Sequence, residues 1–100
     1  MIRGTTPTHI FELPFDTDLI DKVKVVYAQD DRVVFTKEQA ECTLEANVVS
    51  VKLTQEETLK LDCRKYVQIQ LRVLTKEGEA LASEIKTVDV KKCLESKVLE

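Results

Sequence analysis

Apolar residues recur at every second position along much of the chain. In YVQIQLRVL, Val67, Ile69, Leu71 and Val73 alternate with Gln68, Gln70 and Arg72. Successive strand side chains point to opposite faces, so this spacing predicts a strand with one buried face. The same period appears in KVKVVYAQ, through Val23, Val25 and Tyr27, and in RVVFT, through Val33 and Phe35. Asp30-Asp31 between them reads as a tight connection, because aspartate carboxylates bond nearby backbone amides in turns. CTLEA and VVSVKL follow, joined near Asn47, which tolerates the positive φ of a hairpin turn. Cys42, Leu44 and Ala46 are expected to face inward on the first of these strands, and Val49, Val51 and Leu53 on the second.

Near the C-terminus, KEG around Gly78 predicts a hairpin between YVQIQLRVL and ALASEIKTVDV. Ile85 is out of phase with Val88 and Val90, which predicts a bulge or register change between them. HIFEL before Pro14 predicts a short first strand, since proline is accepted at an edge or a strand end. LTQEETLKLD breaks the alternation. Thr54 followed three residues later by Glu57 is a capping-box pattern, so a helical turn is expected there, held to the sheets by Leu59 or Leu61. Lying between two strands, it reads as a corner that carries the chain from one sheet to the other. Tyr66 just beyond is either a tyrosine-corner residue or a half-buried strand residue.

These elements predict an all-β, immunoglobulin-like antiparallel β-sandwich of about seven strands with one short helical turn. Its expected core is Val23, Val25, Tyr27, Val33, Phe35, Leu44, Val49, Val51, Val67, Ile69, Leu71 and Val73. With two glycines, two prolines and no internal repeat, residues 1–98 read as one domain, and Leu99-Glu100 as a remnant preceding an affinity tag.

Composition narrows the function classes. One hundred residues, 43% hydrophobic and 33% charged, suit one core without a deep cofactor cavity, so no cofactor is expected. The net charge is −3 and the basic residues are scattered, Arg64-Lys65 and Lys91-Lys92 being the compact pairs, so nucleic acid is not an expected partner. No signal-peptide pattern or long apolar run is present, so the expectation is a chain made in the cytoplasm without a membrane partner. Cys42, Cys63 and Cys93 lack C-x-x-C spacing and a nearby histidine, and read as reduced thiols rather than metal ligands.

Catalytic candidates each have a simpler reading. His9 has no nucleophile placed by the sequence and is expected to be solvated on an edge strand. Glu56-Glu57 fit the first turn of a helix, with Glu57 in the capping box. Asp16 and Asp18 in FDTD lack the glycine and distal glutamate of a calcium loop. No phosphate-binding glycine loop, zinc-protease or nucleophile-elbow motif occurs, so no enzyme activity and no catalytic, cofactor or metal residue is expected. The outward row Gln68, Gln70 and Arg72 is the candidate protein-contact face, and a sheet edge is the candidate site of self-association. The alternative, a carbohydrate-binding module, is poorly supplied with aromatic platforms, since the chain has no tryptophan and five aromatics in all.

HIFELPFD, KVKVVYAQDDRVVFTK, NVVSVKLTQEETLKL, and YVQIQLRVLTKEG followed by ALASEIKTVDV together resemble small immunoglobulin-like proteins of phage and prophage tail gene clusters in Gram-positive bacteria. The order is most similar to the N-terminal domain of upper baseplate proteins. The resemblance implies a structural or accessory role in a phage or prophage, with other virion proteins as partners and assembly into a virion. The chain departs from that family in lacking the helical linker and binding head, so the implied role is that of an adaptor rather than a receptor-binding protein.

Overall fold

The computed structural model describes residues 1–100. In chain order the elements are β1 (Thr8–Glu12), β2 (Ile20–Gln29), β3 (Arg32–Glu38), β4 (Cys42–Glu45), β5 (Val48–Lys52), α1 (Gln55–Leu59), β6 (Val67–Thr75), β7 (Ala80–Ala82) and β8 (Lys86–Val88). They form two antiparallel sheets, one ordered β1-β5-β4 and the other β3-β2-β6, with β7 and β8 both on the far side of β6. β7 and β8 are two halves of one interrupted strand, so the wider sheet is effectively four strands across against three. The molecule measures 46 × 29 × 16 Å. The thin dimension leaves room for two sheets about 10 Å apart and nothing more between them.

The alternating rows seen in the sequence meet in this gap. Val23, Val25 and Tyr27 of β2 and Val67, Ile69, Leu71 and Val73 of β6 are buried against Val49 and Val51 of β5, with Leu53, Phe35, Leu61, Ile20 and Val90 closing the core. Leu44 and Cys42 pack partly against it. Two expected inward positions, and the expectation for Tyr66, are corrected. Val33 is 62% exposed. The β2–β3 register runs Tyr27↔Phe35 and then Ala28↔Val33, so Val34 is an extra residue, and this bulge turns Val33 to the face it shares with outward Ala28. Ala46 is exposed in the β4–β5 turn and takes the positive φ (52°) expected of Asn47. Asn47 instead donates from its side chain to the Leu13 carbonyl, tying the turn to the end of β1. Tyr66 is 64% exposed and forms no hydrogen bond, so it is neither a tyrosine corner nor half-buried.

The other turns follow local chemistry. Asp30 and Asp31 both have positive φ (51° and 61°), the backbone a two-residue hairpin needs for its twist to match the strands. The last strand breaks at Ser83–Ile85, ahead of the expected interval between Ile85 and Val88, and Ile85 is 55% exposed. Register moves by one residue between the β7 and β8 pairings with β6. The Ser83 hydroxyl accepts from the Leu71 amide, and Gln70 donates to the Ser83 carbonyl, so the break leaves these groups paired.

LTQEETLKLD forms α1, a five-residue helix with both capping-box hydrogen bonds present. Leu61 is buried, and Thr58 donates to the Thr5 carbonyl. Such a short helix is marginal alone and depends on this docking. Gln29, buried at the end of β2, donates to the carbonyls of Asp62 and Lys65 and accepts from the Asp62 amide. It ties the corner to the wider sheet. The N-terminal residues run beside the end of the last strand through a parallel bridge, Ile2↔Lys91.

Candidate protein-contact face

Gln68, Gln70 and Arg72 lie on the outer face of the wider sheet, as the alternation of β6 requires. The structure gives the three side chains different roles. Gln68 accepts from the Asp31 amide and donates to its carboxylate, both at 2.8 Å, bracing the β2–β3 hairpin. Gln70 donates to Ser83 at the strand break. Arg72 is exposed and forms no hydrogen bond.

What this face offers a partner is therefore more apolar than the glutamine row suggests. Val26, Ala28, Val33 and Ile85 surround Gln68 and Gln70 in a shallow hollow. The two most exposed of these, Val33 and Ile85, reach the face because of the bulge and the strand break, and alternation alone assigns neither there. At the other end of the face Lys22, Lys24 and Arg72 line a second hollow with one acidic side chain, Glu38, which pairs with Lys24 at 3.5 Å. In a chain of net charge −3, this is a local excess of positive charge. The face thus has an apolar half and a basic half.

Two of the remaining polar groups, His9 and Tyr27, meet between the sheets. His9 is turned inward rather than solvated, because its register places it beside Val51 on the inner face of the narrow sheet. Its Nδ1 is 2.7 Å from the Tyr27 hydroxyl of the other sheet, and Tyr27 stacks on Phe35 at 4.7 Å. Burial lowers the His9 pKa, and the positive N-terminal amino group adds to the shift. Burial raises that of Tyr27, as do the nearby Cys42 and Glu57. Each of the two groups already has the other as its hydrogen-bond partner.

Lys37 of β3 points into the core and is 3% exposed. Its ammonium meets both Glu57 oxygens, at 2.8 and 3.0 Å, and Glu41 at 3.2 Å. Burial pulls its pKa down, but the hydrogen bonds and charges of Glu57 and Glu41 outweigh this and raise it overall. Glu57 thus serves the capping box and the lysine together, which the spacing Thr54-x-x-Glu57 does not reveal. Glu56 is exposed on α1, while the Asp16 carboxylate accepts from the Asp18 amide to cap the short turn Thr17–Leu19. Cys42, Cys63 and Cys93 are free thiols, and burial raises the pKa of Cys42 with Glu41 adding to the effect. No cluster of three potential metal ligands forms, and no helix is long and apolar enough to cross a membrane.

No protein-family model matches the chain, and no curated protein does. Among solved structures, it is similar to the Ig-like domain of mouse leukocyte-associated immunoglobulin-like receptor 1 in a strand-swapped dimer. The TM-score is 0.52 at 11% identity, over 93% of this chain and 84% of that one. The extracellular domain of the same receptor, also a strand-swapped dimer, gives a TM-score of 0.51 at 11% identity over the same shares. The V domain of amphioxus IgVJ-C2 gives 0.38 at 10% identity, over 90% of this chain and 96% of that one. At these identities the likeness extends to fold alone, and the fold is an immunoglobulin-like antiparallel β-sandwich.

Proposed function

We propose that this chain is a non-enzymatic protein-contact module that docks through the outer face of its wider sheet, as an adaptor in a phage or prophage tail assembly. The observation that supports the docking face is the pair Val33 and Ile85, exposed at the two sides of one shallow hollow, with a basic flank of Lys22, Lys24 and Arg72. Apolar side chains next to matched charge suit protein recognition, with the basic end favouring a partner that carries carboxylates. The tail context rests on the sequence resemblance. Cross-linking within assembled particles from the native host tests both parts. Cross-links from Lys22 and Lys24 to acidic residues of a tail protein are expected, and they should be lost in Val33→Arg and Ile85→Glu. Particles that lack the chain, or cross-links unchanged in both variants, would refute the proposal.

A second reading is favoured by Tyr66. It is an exposed aromatic beside Asp30, Asp31, Arg64, Lys65, Gln68 and Thr87, the mixture of ring and polar groups that holds a sugar. The Asp30, Asp31 and Gln68 side chains already have partners within the chain, which favours the protein-contact reading. Titration with cell-wall oligosaccharides, read by Tyr66 fluorescence, separates the two: quenching lost in Tyr66→Ala supports sugar binding.

A further inference from the structure

The narrow sheet ends at β1, and the far side of β1 is bare. Leu13 donates to the Asn47 carbonyl and Leu53 to the Pro7 carbonyl, so the odd residues of β1 and its flanks bond to β5. In an antiparallel ladder the even residues then turn their backbone groups the other way. The N–H and C=O groups of Thr8, Ile10 and Glu12 accordingly have no partner within the chain. The other edges are better protected. β4 has four residues, with Glu41 before it and Glu45 at its end, β3 carries the bulge and several charges, and β7 is three residues long and ends at a break. β1 has no lysine, proline or bulge, and its Ile10 is 65% exposed.

Beside the end of β1 lies an apolar trough of about 350 Å³. Its floor is Leu71 and Val73 of β6, and its walls are Leu13 and Phe15 on one side and Leu81 of β7 on the other. It exists because the wider sheet extends one strand beyond the narrow one, leaving the inner face of β7 uncovered. Glu12 is the charged residue on its rim.

We infer that the free edge of β1 and this trough form an acceptor site for one extended strand of a different protein, which adds to the narrow sheet as a fourth strand. Alternate apolar side chains of that strand fill the trough, its backbone pairs with Thr8, Ile10 and Glu12, and a basic side chain meets Glu12. A second copy is a poor donor through its own β1. The twofold of an antiparallel β1–β1 pair would bring the copy's wider sheet to the side where β7 already lies. The site is separate from the outer face proposed above.

Proline at position 10 provides the test, since it removes an N–H that the fold does not use while leaving the β1–β5 ladder intact. The probe is the synthetic acetylated peptide Lys-Val-Thr-Val-Thr-Val-Thr amide, titrated into the full chain and followed by amide exchange. In the free protein the amides of Thr8, Ile10 and Glu12 should exchange quickly and those of Phe11 and Leu13 slowly. Peptide should slow the first three. Ile10→Pro and Leu81→Asp should each weaken binding by about tenfold or more, and Glu12→Lys by less, since it removes the ion pair but not the backbone pairing. Val33→Arg should bind normally, which keeps this site distinct from the outer face. Absence of binding at millimolar peptide, protection confined to the outer face, or an unchanged affinity in folded Ile10→Pro and Leu81→Asp would overturn the inference. A dimer of the chain itself that Ile10→Pro abolishes would overturn the assignment to a different protein.

Discussion

Tyr27 shows how one side chain can serve both the apolar core and a polar link. Its ring fills the gap between Phe35 and the facing sheet, and its hydroxyl finds a partner in His9. Tyr27→Phe keeps the ring and removes the hydroxyl, so the loss should be about 1 kcal/mol, measured by urea unfolding. His9 itself makes stability depend on pH. Its pKa is lowered in the folded state, so the unfolded chain takes up a proton first as pH falls below about 6.5. The His9 contribution is therefore complete above that pH and declines from there down to the lowered folded value. Thermal midpoints measured between pH 8 and 5 should fall more steeply for the wild type than for His9→Gln. Ile69, in the middle of the strongest alternation, should cost roughly 2 to 5 kcal/mol on replacement by alanine, whereas a loss near zero would place it outside the core.

In the short helix, the cap is legible from Thr54 and Glu57 and the anchor Leu61 from its apolar position, but the ties to Lys37 and to the Thr5 carbonyl are not. A five-residue helix needs tertiary contacts to persist, and here they include Lys37 from β3 as well as Leu61 and Thr58. Removing one partner of a buried pair leaves the other charge uncompensated, at a cost that grows with how deeply that charge is buried. Glu57→Ala should therefore be strongly destabilising, because it strands the buried lysine and also loses the cap, and Lys37→Met should cost less in the same denaturation assay, because the Glu57 carboxylate is 16% exposed and keeps its bond from the Thr54 amide. Equal losses in the two variants would show that the ion pair itself holds the corner. The β2–β3 hairpin makes a related point about register. Val33 and Phe35 have the spacing of one strand face, but the bulge at Val34 inserts a residue between them, and Val33 becomes part of the contact face.

At the scale of the molecule, the two sheets are held by apolar side chains, the His9–Tyr27 link and the corner, with no disulfide across the gap. The thermal midpoint should accordingly be the same with and without a thiol reductant, and a drop on reduction would reveal a bond among Cys42, Cys63 and Cys93. The order of residues is enough to set the two-sheet sandwich, the inner rows of β2, β5 and β6, the hairpin at Asp30-Asp31 and the capped corner. Each of these follows from side-chain period or from hydrogen bonds between residues a few positions apart, and such signals survive in one dimension. It takes the folded arrangement to turn Val33 and Ile85 outward and His9 and Lys37 inward, to leave Tyr66 free, and to stand β1 beside an open trough. Those outcomes depend on bulges, on partners 18 or 20 residues away and on the unequal widths of two sheets, all of which arise when distant segments meet.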